Sequence, residues 1–279
     1  MIPEKRQERK TLAKCAGVTR ASSAPAFAPR AWSGAGVALV WTAAFAAFWA
    51  VSFGVAIAWA EVQHPEFHSF GQLVHFLRGT RFGAGAVFWS PGLLLLAVTA
   101  RTGAALLVIY WLRGLLPVRT LDEFGFRRPA PGDIAYGVWM GIGIMIVAAA
   151  VLAVQDMLVH PKASTWLAIV HFHHGPVAYV LDIIGASVVT PIAEETLFRG
   201  LLYAGLVQRT RPFVAAIASG FIFAAFHFNV YGLLGNMVAG IGLAYVYYKR
   251  RTLWASCASH AAINFIGFSF LYLGHLVGR

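Results

Sequence analysis

Three motifs in the C-terminal part of the sequence carry side chains able to do acid–base chemistry. They are Glu194-Glu195-Thr196-Leu197-Phe198-Arg199, Phe223-Ala224-Ala225-Phe226-His227 and His260-Ala261-Ala262-Ile263-Asn264. Each lies in a long apolar run, where a polar group is costly and so invites a functional explanation. A carboxylate in a low-dielectric cavity is an improved base for water. Histidine can hold that water or bind a metal, and His with Asn can donate hydrogen bonds to a developing oxyanion. A carboxylate, two imidazoles and an amide together suit peptide hydrolysis. The bland alternative is a polar network that merely ties helices together.

Helical spacing sorts these groups. Glu195 and Arg199, four apart, share a face and are expected to form a buried ion pair. Glu194 is rotated by about 100° and is expected to point elsewhere, leaving its carboxylate available. His260 and Asn264 are also four apart and can serve one spot. Measured along their helices from Arg209, Arg211 and Arg251, the four groups Glu194, His227, His260 and Asn264 fall at about 14–24 Å. Helices alternating in direction would bring them to one mid-membrane level.

The elements that must position them are apolar. Of 279 residues, 59% are hydrophobic and 12% charged, with a mean hydropathy of +0.68, whereas a soluble domain is about a quarter charged. The net charge of +11 is spread in short clusters between apolar runs, without a basic face, so no nucleic-acid partner is expected. Cys15 and Cys257 make neither a disulfide framework nor a metal motif. After a basic, disordered cytoplasmic tail (1–33), seven spans are expected: Gly34–Ala60, Phe88–Leu112, Ile134–Val154, Val177–Val207, Phe213–Phe228, Tyr231–Tyr248 and Leu253–Leu273. The fourth is expected to be interrupted at Pro191. The first ends in Ala58-Trp59-Ala60, which resembles a cleavage site, but its apolar run is too long for a signal peptide and a retained anchor is expected.

With the tail inside, sixteen of the 22 Lys and Arg lie on the inner face and four outside, which sets the orientation. Trp32, Trp59, Trp111, Tyr247, Tyr248 and Trp254, at segment ends, are expected as interfacial anchors. Gly137 and Gly141 form a G-x-x-x-G pair that predicts a close helix contact. His171, His173 and His174 cluster in what reads as a solvated outer loop, with metal binding the lesser reading. Arg101, inside an apolar span, is either buried with a partner such as Asp182 or marks a shifted helix. No internal repeat of the kind many carriers show is present.

The order Glu194-Glu195-x-x-x-Arg199-Gly200, Phe223-x-x-x-His227, His260-x-x-x-Asn264 resembles the CPBP family of intramembrane endopeptidases, the Abi family of type II CAAX prenyl endopeptidases and bacteriocin-processing relatives. The upstream Phe124-Gly125-Phe126-Arg127-Arg128-Pro129 resembles a family loop before a membrane helix. The resemblance implies an all-α polytopic transmembrane bundle of about seven to eight helices, with N-terminal helices over 34–176 and a catalytic membrane domain over 177–273. It implies that Glu194 activates water with His227, that His260 and Asn264 stabilise the oxyanion, and that Glu195, Arg199 and Phe223 support them.

The expected activity is endoproteolysis of a membrane-bound peptide or protein within the lipid bilayer of the plasma (inner) membrane. The chain ends Leu-Val-Gly-Arg, without a Cys-a-a-X box, so it is not expected to be its own prenylated substrate. No cofactor is expected to be required, because a Glu194 that ligates metal could not also act freely as base; the alternative is zinc on Glu194, His227 and His260. Other functional readings are a catalytically silent scaffold or immunity-type protein with the same fold, and a proton-coupled carrier using Glu194 as relay. The motifs of competing intramembrane proteases, H-E-x-x-H, Gly-x-Ser-Gly and Gly-x-Gly-Asp, are absent from the sequence.

Overall fold

Apolar sequence in lipid must satisfy its own backbone polar groups, and the helix is the economical way to do so. The computed structural model describes residues 32–63, 91–116, 118, 120–159, 176–227 and 229–277. Among these, all regular structure is helical, in seven rods and two short helical turns, Arg113–Leu115 and Asp122–Phe126. They are α1 (Gly34–Gln63), α2 (Pro91–Leu112), α3 (Pro131–Val159), α4 (residues 176–206), α5 (Pro212–Phe226), α6 (Leu233–Arg250) and α7 (Leu253–Val277). Four rods open on proline, whose missing N–H costs nothing in a first turn. The basic tail to residue 31 and the His171, His173 and His174 cluster lie outside the described residues.

Stretches long and apolar enough to cross a membrane are Gly34–Val55, Leu95–Leu115, Asp122–Leu158 and Leu253–Gly274. They belong to α1, α2, α3 with its preceding turn, and α7, and they make this an integral membrane protein. The other three rods fill the space between. α4 is the central one, touching α1, α2, α5, α6 and α7, while α1 packs on α2, α3 on α7 and α6, and α5 on α6. The α3–α7 contact depends on the expected glycine pair. A Cβ on Gly137 would collide with the Ala255 carbonyl, and one on Gly141 with the Ser259 carbonyl.

The loop before α3 acts as a clamp. Asp133 accepts the Ala130 N–H at 2.8 Å and binds Arg250 at 2.7 Å. Arg127 donates to the carbonyls of Arg250 and Arg251, satisfying groups that the end of α6 leaves open. Gly125 has φ of 110°, and a side chain there would press on Tyr247 and Leu253.

Two expected interfacial aromatics belong instead to the core. Trp32 is 2% exposed and stacks on Phe124, with its backbone held by Gln208 and Arg209; Tyr247 is also buried. A segment end that folds back onto α4 offers its ring a protein surface before it reaches a headgroup. Trp111 is 76% exposed, as an anchor should be.

Candidate active site

The sequence led us to expect a break at Pro191, but α4 continues through it. Proline can donate no hydrogen bond, and the helix accommodates it by widening to a π-turn over Gly185–Val189 just before it. Side chains take up carbonyls of this turn: Thr190 Oγ1 donates to Gly185 O at 2.9 Å, and Asn264 Nδ2 to Ala186 O at 2.7 Å. A second wide stretch covers Thr196–Tyr203. Between the two lies one α-helical stretch, Thr190–Glu195, and both glutamates are on it.

Glu194, Glu195, Arg199 and His260 are buried, Glu195 and Arg199 completely. Arg199 Nη1 meets Glu195 Oε1 at 2.9 Å, so the expected ion pair is formed. Its Nη2 donates to Gly240 O of α6 at 2.9 Å, and its guanidinium lies 4.6 Å above the Phe223 ring. Glu195 has a further partner that the spacing did not reveal. His260 Nδ1 lies 2.8 Å from the same Oε1, while His260 Nε2 lies 3.8 Å from Glu194 Oε2. The two carboxylates therefore do not part company as expected, for one imidazole from α7 spans both. Their angular separation on α4 is closed by the length of the histidine across the gap.

His227 caps the C-terminal end of α5 and is half-buried. Its Nδ1 lies 2.8 Å from Phe223 O, which can only accept. The ring proton of the neutral form therefore sits on Nδ1, leaving the Nε2 lone pair for a water. Phe223 packs edge-on to both histidines, 4.7 Å from His227 and 5.8 Å from His260, and fixes the space between them. Glu194 lies within electrostatic reach of His227, Arg199 and Arg101, and its Oε2 is buried without a hydrogen-bond partner. Cys257 Sγ faces Pro191 O at 3.8 Å, as a small packed residue would.

Arg101 had no settled place in the sequence. In the fold it turns inward, with Nη2 3.4 Å from Thr190 Oγ1 and its guanidinium 4.6 Å over the Phe48 ring. A lone arginine within an apolar run was the signal available. Zinc on Glu194, His227 and His260 finds no support here: among the described residues, no three His, Cys, Asp or Glu side chains gather closely enough to hold a metal ion.

The centre of this helical bundle thus holds two carboxylates on one imidazole, Glu195 at 2.8 Å from His260 and Glu194 at 3.8 Å. Residues 176–266, a third of the chain, match the model of the family described as type II CAAX prenyl endopeptidase Rce1-like, in keeping with the resemblance its motifs carry. A Bacillus subtilis (strain 168) protein named "Putative membrane peptidase YdiL" is 32% identical over 87 residues, covering 31% of this chain. The matched stretch spans about a third (36%) of that relative's length. No solved structure matches.

Proposed function

We propose that the protein is an intramembrane endopeptidase that hydrolyses a peptide bond of a membrane-associated substrate with water activated by Glu194. The observation that carries this reading is the division of labour between adjacent carboxylates. Glu195 is committed through Oε1 to both Arg199 and His260, whereas Glu194 is tied to neither, its buried Oε2 lying 3.8 Å from His260 Nε2 without a hydrogen bond. A carboxylate so placed is free to take a proton from water.

His227, with its Nε2 lone pair unused, holds the water beside Glu194. Hydroxide adds to the scissile carbonyl carbon, and the proton it leaves rests on Glu194. His260 in its protonated form donates from Nε2 to the oxyanion, its Nδ1–H anchored on Glu195, and the second amide hydrogen of Asn264 assists. Glu194 then passes its proton to the departing amide nitrogen as the carbon–nitrogen bond breaks. Glu195, Arg199 and Phe223 touch no reacting atom in this scheme and serve to hold His260 and His227.

The test is purified protein in detergent against a quenched fluorescent peptide ending in a farnesylated Cys-a-a-X sequence, a probe chosen from the family's description. Glu194→Gln should lower kcat by at least about 10²-fold, the usual contribution of a general base, while the protein still purifies folded. A Gln variant as active as wild type would sink the reading.

The orientation belongs to the same proposal, with the N-terminal tail in the cytoplasm and the cavity reached from that side. Reporter fusions after Arg30, Ala130, Lys162 and Arg251 should read in, in, out, in. An outside signal at Arg251 would contradict the common depth of the motifs.

A further inference from the structure

We propose that Arg101 is a positioning residue for the Glu194 carboxylate, so that the site is completed by helices outside the family-matched segment. The inference rests on the reading of Glu194 as base. Thr190 and Glu194 are one turn apart on the same face of α4, within its regular α-helical stretch. A guanidinium 3.4 Å from Thr190 Oγ1 therefore lies alongside Glu194, and the two charges act on each other.

Other contacts hold Arg101 there. Its guanidinium is stacked over Phe48, a core residue of α1 that is 1% exposed, and its Nε is enclosed without a hydrogen-bond partner. Glu194 Oε2 has the complementary deficit, a buried acceptor without a donor. A cation inside an apolar bundle is expensive, and a carboxylate opposite offsets that cost. Among the described residues, the charged and titratable groups within electrostatic reach of Glu194 are Arg199 on its own helix, His227 from α5, His260 from α7 and Arg101 from α2. Arg199 is spent on Glu195 and the Gly240 carbonyl. Among the described residues, Arg101, bonded otherwise to one hydroxyl and one ring face, is the cation left to orient Glu194. A merely structural arginine would pack on Phe48 and act the same whether residue 194 carried a charge or not.

That difference is measurable on the full chain purified in detergent. Wild type, Arg101→Met, Arg101→Lys, Glu194→Gln and the Met/Gln double variant are compared by cleavage of the farnesylated peptide and by thermal unfolding. Arg101→Met should lower kcat by about tenfold or more while KM stays within about twofold, and Arg101→Lys should recover most of the loss. The melting midpoint should fall on Arg101→Met when residue 194 is Glu and fall much less when it is Gln, because contacting residues are not additive. Unchanged kcat in Arg101→Met beside an inactive Glu194→Gln would overturn the inference and leave the base reading standing. If Glu194→Gln keeps full activity, or wild type does not cut the peptide, the melting cycle decides alone. Additive shifts then overturn the pairing and non-additive shifts support it. Should Arg101→Met fail to fold, the same cycle is run with Arg101→Gln.

Discussion

The bundle divides into rods that lipid would accept and rods that it would not. α1, α2, α3 and α7 are long and apolar, and large side chains such as Leu39, Leu96, Trp139, Ile146 and Phe270 stand outward on them. α4 (residues 176–206) is widened twice out of α-helical geometry and carries a completely buried Arg–Glu pair. α5 has 15 residues, about 22 Å, less than the roughly 30 Å of hydrocarbon it would have to cross. The chemistry thus sits mainly in elements that could not face lipid by themselves. The plainer helices make a place for them, and α7, which carries His260 and Asn264, belongs to both sets. Irregular helix and buried charge at membrane depth are tolerated where protein encloses them.

The largest effect that this contrast implies is on α4. Arg199→Met removes one partner of a pair fully shielded from solvent and leaves the Glu195 carboxylate with a single imidazole. Breaking a buried pair from one side costs about 3–5 kcal/mol. The yield of monodisperse protein and its melting midpoint should both collapse, and activity with them, whereas Glu194→Gln should lose activity and still give monodisperse protein. If Arg199→Met purifies with wild-type stability, the inner rods are not held by their charges and the division drawn above is wrong.

The helical elements were legible in the sequence because apolar runs bounded by charge and proline are one-dimensional signals. The expected Gly34–Ala60 and Leu253–Leu273 are Gly34–Gln63 and Leu253–Val277 in the fold. The Glu195–Arg199 pair and the Gly137–Gly141 contact were legible for the same reason, since each depends on spacing within one helix. What stayed hidden was azimuth between helices. Spacing could not show that His260 spans both carboxylates, that Arg101 turns toward Thr190, or that Trp32 packs on Phe124 rather than at an interface. Nor could it distinguish a helix broken at Pro191 from one that widens ahead of it, because the outcome depends on Asn264, more than seventy residues away, reaching the Ala186 carbonyl.

A middle-sized effect should come where the two sets meet. Gly141 lies against the Ser259 carbonyl, one residue before His260. Gly141→Leu must push α7 away from α3, and overpacking of this sort costs about 1–3 kcal/mol. The displacement moves Nε2 of His260 relative to Glu194, so kcat should fall by more than the loss of folded protein explains. Activity per folded molecule, measured at a temperature well below the variant's melting midpoint, separates the two. Equal specific activity would mean that the site does not depend on the α3–α7 spacing.

The smallest effect should lie on the outward face of the same helix. Ile144 and Ile146 are two residues apart on α3, but Ile144 is 7% exposed and packs over Gly242, while Ile146 is 64% exposed. In lipid, an outward isoleucine gains little from burial, because hydrocarbon tails are as apolar as the side chain, so only packing against protein is at stake. Ile146→Ala should shift stability by no more than about 0.5 kcal/mol, the usual range for a substitution away from packed features. Ile144→Ala leaves a void beside α6 and should cost about 2–5 kcal/mol, less whatever the site recovers by collapse. The pair is an internal control on one helix, with identical chemistry and opposite faces. Melting midpoints measured in nanodiscs should separate clearly; equal losses would show that α3 is enclosed on both faces and that the acceptance of lipid ascribed to it is mistaken.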